Sequence, residues 1–329
     1  MFAMANSLTR TGACLAAAFG VMATGPSWCQ AYPVKPIRLI VAGPAGGGND
    51  LITRPIAQKL SESMGQQVIV DNRPGAGTLL AGQATAAAAP DGYTVMMATI
   101  STLCISPHLV GKKPYDPVRD FAPVTLVATA GLMVAVHPSL PAKTTGELIA
   151  LAKSRPGRLA YASNGAGSLS HLTTELFARA AGITMVHVPY KGGSPAAIDT
   201  MAGNTQLVIT GIPTLIAHVK ASRLRAVAVT GSRRSPAMPD LPTVAESGLP
   251  GFESSQWYAA FAPKDTPAAI VERLYRELEK AADIPAVRAA LSLEGAELAV
   301  TGPRRLGQLV RADSAKWEKI IRESGIALD

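Results

Sequence analysis

The sequence predicts an α/β protein of two lobes, with mixed, mostly parallel sheets flanked by helices. Short apolar runs alternate along the chain with helical patterns. The 329 residues, 48% hydrophobic and only 16% charged, suffice for two cores and exclude a disordered chain. Most informative, an Arg-led apolar strand twice enters a glycine-rich turn that leads directly into a helix. The first copy is Arg38–Val41 followed by Gly43–Asp50; the second is Arg158–Tyr161 followed by Ser163–Ser168.

Taken in order, Ile37–Ala42 reads as a strand and Leu51–Met64 as a helix. Val68–Val70 is a strand ended by the turn Asn72–Gly77, and Leu79–Ala89 is helical. Tyr93–Ala98 follows the Pro90-Asp91-Gly92 turn, and Val124–Ala128 and Leu132–Val136 read as two strands leading out of the first lobe. A capping box, Thr144-Thr145-Gly146-Glu147, opens the next helix, which stops at Pro156-Gly157. Leu159–Ala162 and Met185–Val188 are strands of the second lobe, separated by a helix through Ala181. Ser194 is expected to cap a further helix with Pro195 at its first position. Gln206–Thr210 and Leu224–Thr230 complete that lobe, and Trp257–Ala262 crosses back. Two amphipathic helices finish the chain, one burying Ile270, Val271, Leu274 and Leu278, the other starting near Pro303 and stopping at Gly325. Lobe 1 is thus expected over 32–129 plus 257–329, and lobe 2 over 130–256.

Residues 1–31 have the pattern of a cleavable secretion signal. Arg10 is their only charge, Thr11–Gly25 is apolar, and Cys29-Gln30-Ala31 ends on small residues. Two of the three cysteines lie there, so an internal disulfide and a cysteine-based zinc cluster are both excluded in the mature chain. Cys104 reads as a small buried hydrophobe. The formal charge of +8 is scattered and aromatics are 5%, so a nucleic-acid stripe is missing. The five histidines lack metal-ligand spacing.

The glycine turns match no cofactor or nucleophile motif. Gly48 is followed by Asn49-Asp50, not the Lys-Ser/Thr of a phosphate loop, and Ser170 breaks a dinucleotide fingerprint. What remains is close backbone approach and the partial positive charge of helix starts, which suit an anion held between two jaws. Asp50 and His171 both stand in a first helical turn, where each could either cap the turn or face a ligand. Tyr190-Lys191-Gly192-Gly193-Ser194 precedes a third helix start.

The residues also resemble a known family, the periplasmic solute-binding proteins of tripartite tricarboxylate transporters, called Bug proteins. The likeness covers Tyr32–Arg38, Val70–Gly77, Pro90–Thr94, Pro114–Pro117, Asp120–Val124, His187–Gly192, Leu224–Thr230 and the specific run Leu241–Gly251. It implies a two-lobed Venus flytrap of the periplasmic-binding-protein type and a small organic carboxylate as ligand. Membrane permease subunits are the implied partner. No enzyme activity and no cofactor are expected of a monomer in the periplasm. Carried over by position, the ligand residues are Gly43, Ala45, Gly46, Gly47 and Asp50 in the first turn and Thr99 and Ser101 after the third strand. In the second lobe they are Asn164, Gly165, Gly167, Ser168, His171, Tyr190, Lys191 and Gly192. Ala42-Gly43 stands where many relatives have Pro and an aromatic residue, which removes an aromatic wall. Two other outputs remain open at this level: a sensor reporting to a membrane kinase, and a secreted α/β enzyme.

Overall fold

A computed structural model describes residues 32–293 and 295–324. The signal segment and the stop at Gly325 lie outside them. The elements run β1 (Ile37–Val41), α1 (Gly48–Met64), β2 (Val68–Asn72), α2 (Leu79–Ala86), β3 (Thr94–Thr99), β4 (Phe121–Val136) and α3 (Thr145–Ser154). Next come β5 (Ala160–Ser163), α4 (Leu169–Ala181), β6 (Val186–Pro189), α5 (Gly193–Met201), β7 (Leu207–Gly211), α6 (Ile212–Lys220) and β8 (Arg225–Val229). The chain closes with β9 (Ser255–Pro263), α7 (Ala268–Asp283), α8 (Pro285–Leu293), β10 (Glu297–Thr301) and α9 (Pro303–Ser324).

The strands join in the order β2-β1-β3-β9-β4-β7-β5-β6, with β10 and β8 also paired to β4. β1 pairs in parallel with β2 and β3, and β5 in parallel with β6 and β7. The ladders of β4 and β9 are antiparallel, so the sheet is mixed and its centre is less parallel than the sequence suggests. The two runs expected as separate strands form one sixteen-residue strand, β4. Between Gly131, paired with Ser255, and Leu132, paired with Gly211, β4 passes from its ladder with β9 to its ladders with β7 and β8. Backbone pairing on both sides of this change holds the extended form through Gly131, which local propensity marks as a breaker.

Three further elements, α6, α8 and β10, were not anticipated. α7 buries Leu274 and Leu278 as its spacing requires, with Ile270 and Val271 packed beside them. The capping box forms: Thr144 Oγ1 accepts from the Glu147 amide, while the Glu147 carboxylate accepts from the Lys143 amide. Ser194 does not cap α5, because the helix begins two residues earlier than expected, at Gly193 after Gly192. One buried cluster extends through both halves, from Ile40 and Phe261 to Tyr161 and Leu207. Cys104 is buried within it, and burial pushes its thiol pKa up. No helix among the described residues is long and apolar enough to cross a membrane.

Candidate functional site

The turn after β1 is held from below. Asn49 is buried and its Nδ2 donates to the carbonyls of Ala42 (3.2 Å) and Met97 (2.8 Å), which ties the start of α1 to β3. Burial alone would raise the Asp50 carboxyl. Hydrogen bonds from Arg54 (2.7 Å), the Gly46 amide (2.8 Å) and Asn72 (3.0 Å) outweigh that effect and hold its pKa below the usual carboxylate range. Asp50 is thus the brace of the turn, and Gly46, at φ +70°, takes the left-handed conformation that closes it.

The second turn is closed by its own side chains. Ser168 caps α4, accepting from the His171 amide at 3.3 Å and donating to the Gly165 carbonyl at 2.7 Å. His171 Nδ1 accepts from the Gly167 amide at 3.1 Å, so this nitrogen carries no proton in the bonded form. Its ring stacks on His187 with centroids 3.9 Å apart, and the Tyr161 ring lies near-parallel to both, 4.9 Å from His187 and 6.4 Å from His171. Burial lowers both histidine pKa values to about 4, helped for His187 by the neighbouring His171. His187 Nε2 lies 2.6 Å from Ser163 Oγ, the distance of a nucleophile and its base. Ser163 is buried and lines neither of the two chambers described below.

Around these turns, three hydrogen bonds join the two halves. The Gly48 amide donates to Thr214 Oγ1 (3.1 Å), the Leu169 amide to Ser101 Oγ (3.0 Å), and the Ser194 hydroxyl to the Gly46 carbonyl (2.9 Å). They enclose an inner chamber of about 60 Å³, lined by the starts of α1 (Gly47, Gly48, Asn49), α4 (Ser168), α5 (Gly192, Gly193) and α6 (Gly211, Thr214). On a scale of about 10–15 Å³ per enclosed water, that is room for a carboxylate and a few waters. Thr78, Thr99, Ser101, Asn164, Thr210 and Gln256 complete the polar wall, and no lining residue carries a formal charge. Thr210 donates to Asn164 Oδ1 at 2.8 Å, which leaves the Asn164 amide hydrogens for another acceptor. Ser101 and Thr214, each accepting from a backbone amide, keep their own hydroxyl protons to donate. A second chamber of about 360 Å³ adjoins it, sharing Gly43, Pro44, Gly77, Thr78, Asn164 and Gly192 as walls.

A larger groove of about 940 Å³ lies along β10 and α9, with Trp257, Arg305, Asp313 and Trp317 among its walls. It mixes acidic and basic groups and lacks converging helix starts, so volume alone does not make it the site.

The sequence model of the tripartite tricarboxylate transporter family receptor matches residues 52–326. The chain belongs to this family. Relatives of the tripartite tricarboxylate receptor include Protein BugT of Bordetella pertussis, 36% identical, with 92% of this chain and 93% of BugT aligned. Among solved structures, R. palustris Rpa4515 with adipate superposes with a TM-score of 0.87 at 34% identity, covering 90% of this chain and 99% of that one. MatC (Rpa3494) from Rhodopseudomonas palustris with bound malate gives 0.82 at 30%, covering 88% and 100%.

Within this tripartite tricarboxylate receptor, the structure divides the residues singled out from sequence. Gly43, Gly47, Thr99, Ser101, Asn164, Ser168 and Gly192 line the inner chamber. Gly165, Tyr190 and Lys191 line the outer one. Ala45, Gly46, Asp50, Gly167 and His171 line neither; the last four shape the turns instead. Sequence reasoning missed Thr210, Gly211 and Thr214. Their signal was there: Val208-Ile209-Thr210-Gly211 is another apolar strand entering a glycine, with Pro213 at a favoured early helical position.

Proposed function

We propose that this protein is a periplasmic receptor that captures a small organic carboxylate in the inner chamber and delivers it to the permease subunits of a tripartite tricarboxylate transporter. The observation that carries the reading is the convergence of four helix starts and neutral hydroxyl and amide donors on one chamber without a cationic wall. Helix-start N–H groups have no intrahelical acceptor and carry partial positive charge, so they bind an anion without the desolvation of an arginine. Adipate and malate in the two solved relatives support the ligand class. The protein is not an enzyme on this reading, and it acts as a monomer.

On this reading, with the lobe boundary expected at residues 129 and 130, the lobes meet at the crossing strands β4 and β9, where β4 changes partners beside Gly131. Opening there would part the three inter-half hydrogen bonds and admit the ligand. Thermal-shift screening of the secreted protein against mono-, di- and tricarboxylates, neutral sugars and nucleotides tests the proposal. A carboxylate at a hundred times its Kd should add about 2.7 kcal/mol of stability. Stabilisation only by a sugar or a nucleotide contradicts it.

A further inference from the structure

The second glycine turn is anchored at both ends by imidazoles. At its start, His187 Nε2 lies 2.6 Å from Ser163 Oγ, which also accepts from the Gly165 amide at 3.2 Å. Towards its end, His171 Nδ1 accepts from the Gly167 amide at 3.1 Å. Next to these anchors stand Asn164 and Ser168, which line the inner chamber. The Leu169 amide, directly after them, makes one of the bonds to the other half. The two rings come from α4 and β6 and lie within 7° of parallel at 3.9 Å. Among the described residues, the titratable groups facing the pair are Tyr161 of β5 and Glu175 of α4, which are hydrogen bonded to each other.

Such a stack tolerates protons poorly. A proton on His171 Nδ1 turns the acceptor of the Gly167 amide into a second donor, and two charged rings at this separation repel. With the turn released and the rings in water, each takes a proton near its ordinary pKa of 6.5; in the fold, burial holds both to about 4. At pH 5 that difference favours the released turn by about thirtyfold for a single ring. Glu175 favours a proton on His187 and offsets the effect only in part.

Resting on the carboxylate-receptor reading above, we propose that His171 and His187 are positioning residues whose neutral stack holds the second turn against the ligand, and that proton uptake releases the turn and with it the carboxylate. The receptor then loads near neutral pH and unloads as the medium turns acidic.

Calorimetric titration with malate, adipate and citrate at about pH 7.5 and about pH 5, on wild type and His171→Asn, tests this. The Asn carboxamide oxygen stands as many bonds from Cα as Nδ1 does, so it replaces the acceptor without titrating. Comparing one acid on both proteins cancels the acid's own proton uptake. Between the two pH values wild type should lose at least about fivefold more affinity than the variant, because only the closed turn binds. His187→Gln, which keeps a nitrogen for Ser163 but ends the charge pairing, should lessen the loss as well. In ligand-free wild type the Gly167 amide NMR signal should shift over the same range, and in His171→Asn it should not. Equal weakening of wild type and both variants, or a wild-type Gly167 signal constant over that range, overturns the inference and leaves the receptor reading standing. If no carboxylate binds at all, both fall.

Discussion

Gly192 is the residue at which closure is most sensitive. At φ +127° it occupies backbone space that other residues rarely enter, and a Cβ there would lie 2.5 Å from Pro44 Cγ on the opposing turn. Gly192→Ala should therefore weaken carboxylate binding by at least about tenfold, because strain of about 1–3 kcal/mol and the clash both oppose the closed form. Gly47 is different: its φ is −81° and a Cβ would meet the Pro44 carbonyl at 3.1 Å, a contact that a small shift relieves. Gly47→Ala should cost less than Gly192→Ala in the same titration; the reverse order would show that the turns do not approach as described. The stacked histidines give a pH prediction. In the unfolded chain each takes a proton near its ordinary pKa of 6.5, in the fold only near 4. Between these values the unfolded chain binds more protons, so the stability present above pH 6.5 is lost as pH falls towards 4. The melting temperature should fall across that window, and His187→Gln should flatten the fall; an unchanged slope in the variant would contradict the assignment.

At the scale of elements, the helix starts that meet at the chamber were unequally legible in sequence. α1 and α4 follow glycine runs, and both helices form after the turns that the sequence marks. α5 was placed with the wrong cap, since Ser194 looks like an N-cap but spends its hydroxyl on the Gly46 carbonyl across the cleft. α6 follows a single glycine, so it lacked the signal that marked the other two turns. Long-range pairing was also invisible: the unity of β4 depends on ladders to β7 and β9, not on its own residues. Asp50 and His171 were placed correctly in first helical turns, but their side-chain direction, toward the turn and lining neither chamber, is a tertiary fact. Two substitutions separate closure from folding. Thr214→Val removes the acceptor of the Gly48 amide, and a buried unpaired donor costs about 1–3 kcal/mol. Since that bond joins the two halves, the loss should appear in ligand affinity more than in melting temperature. Thr144→Ala removes the capping-box acceptor far from the chamber and should lower stability by about 1 kcal/mol with affinity unchanged. If both variants lose affinity equally, the inter-half bond has no special part in closure.

Across the whole molecule, a mixed sheet with two crossing strands places glycine turns from both halves against each other, and the proposed anion site lies where those turns meet. Neither half contains the inner chamber alone: Gly47 and Thr99 come from one, Asn164, Ser168 and Thr214 from the other. On the proposed function, closure and capture are one event, which is how a receptor can present a loaded state distinct from its empty one. The most direct test is a crystal structure of the protein with its tightest-binding carboxylate. The account predicts one carboxylate group in the inner chamber, with its oxygens within about 3.2 Å of hydroxyl, amide or helix-start N–H donors there. A ligand held by its carboxylate only at Lys191 or along the β10–α9 groove, with none of its atoms in the inner chamber, would contradict it.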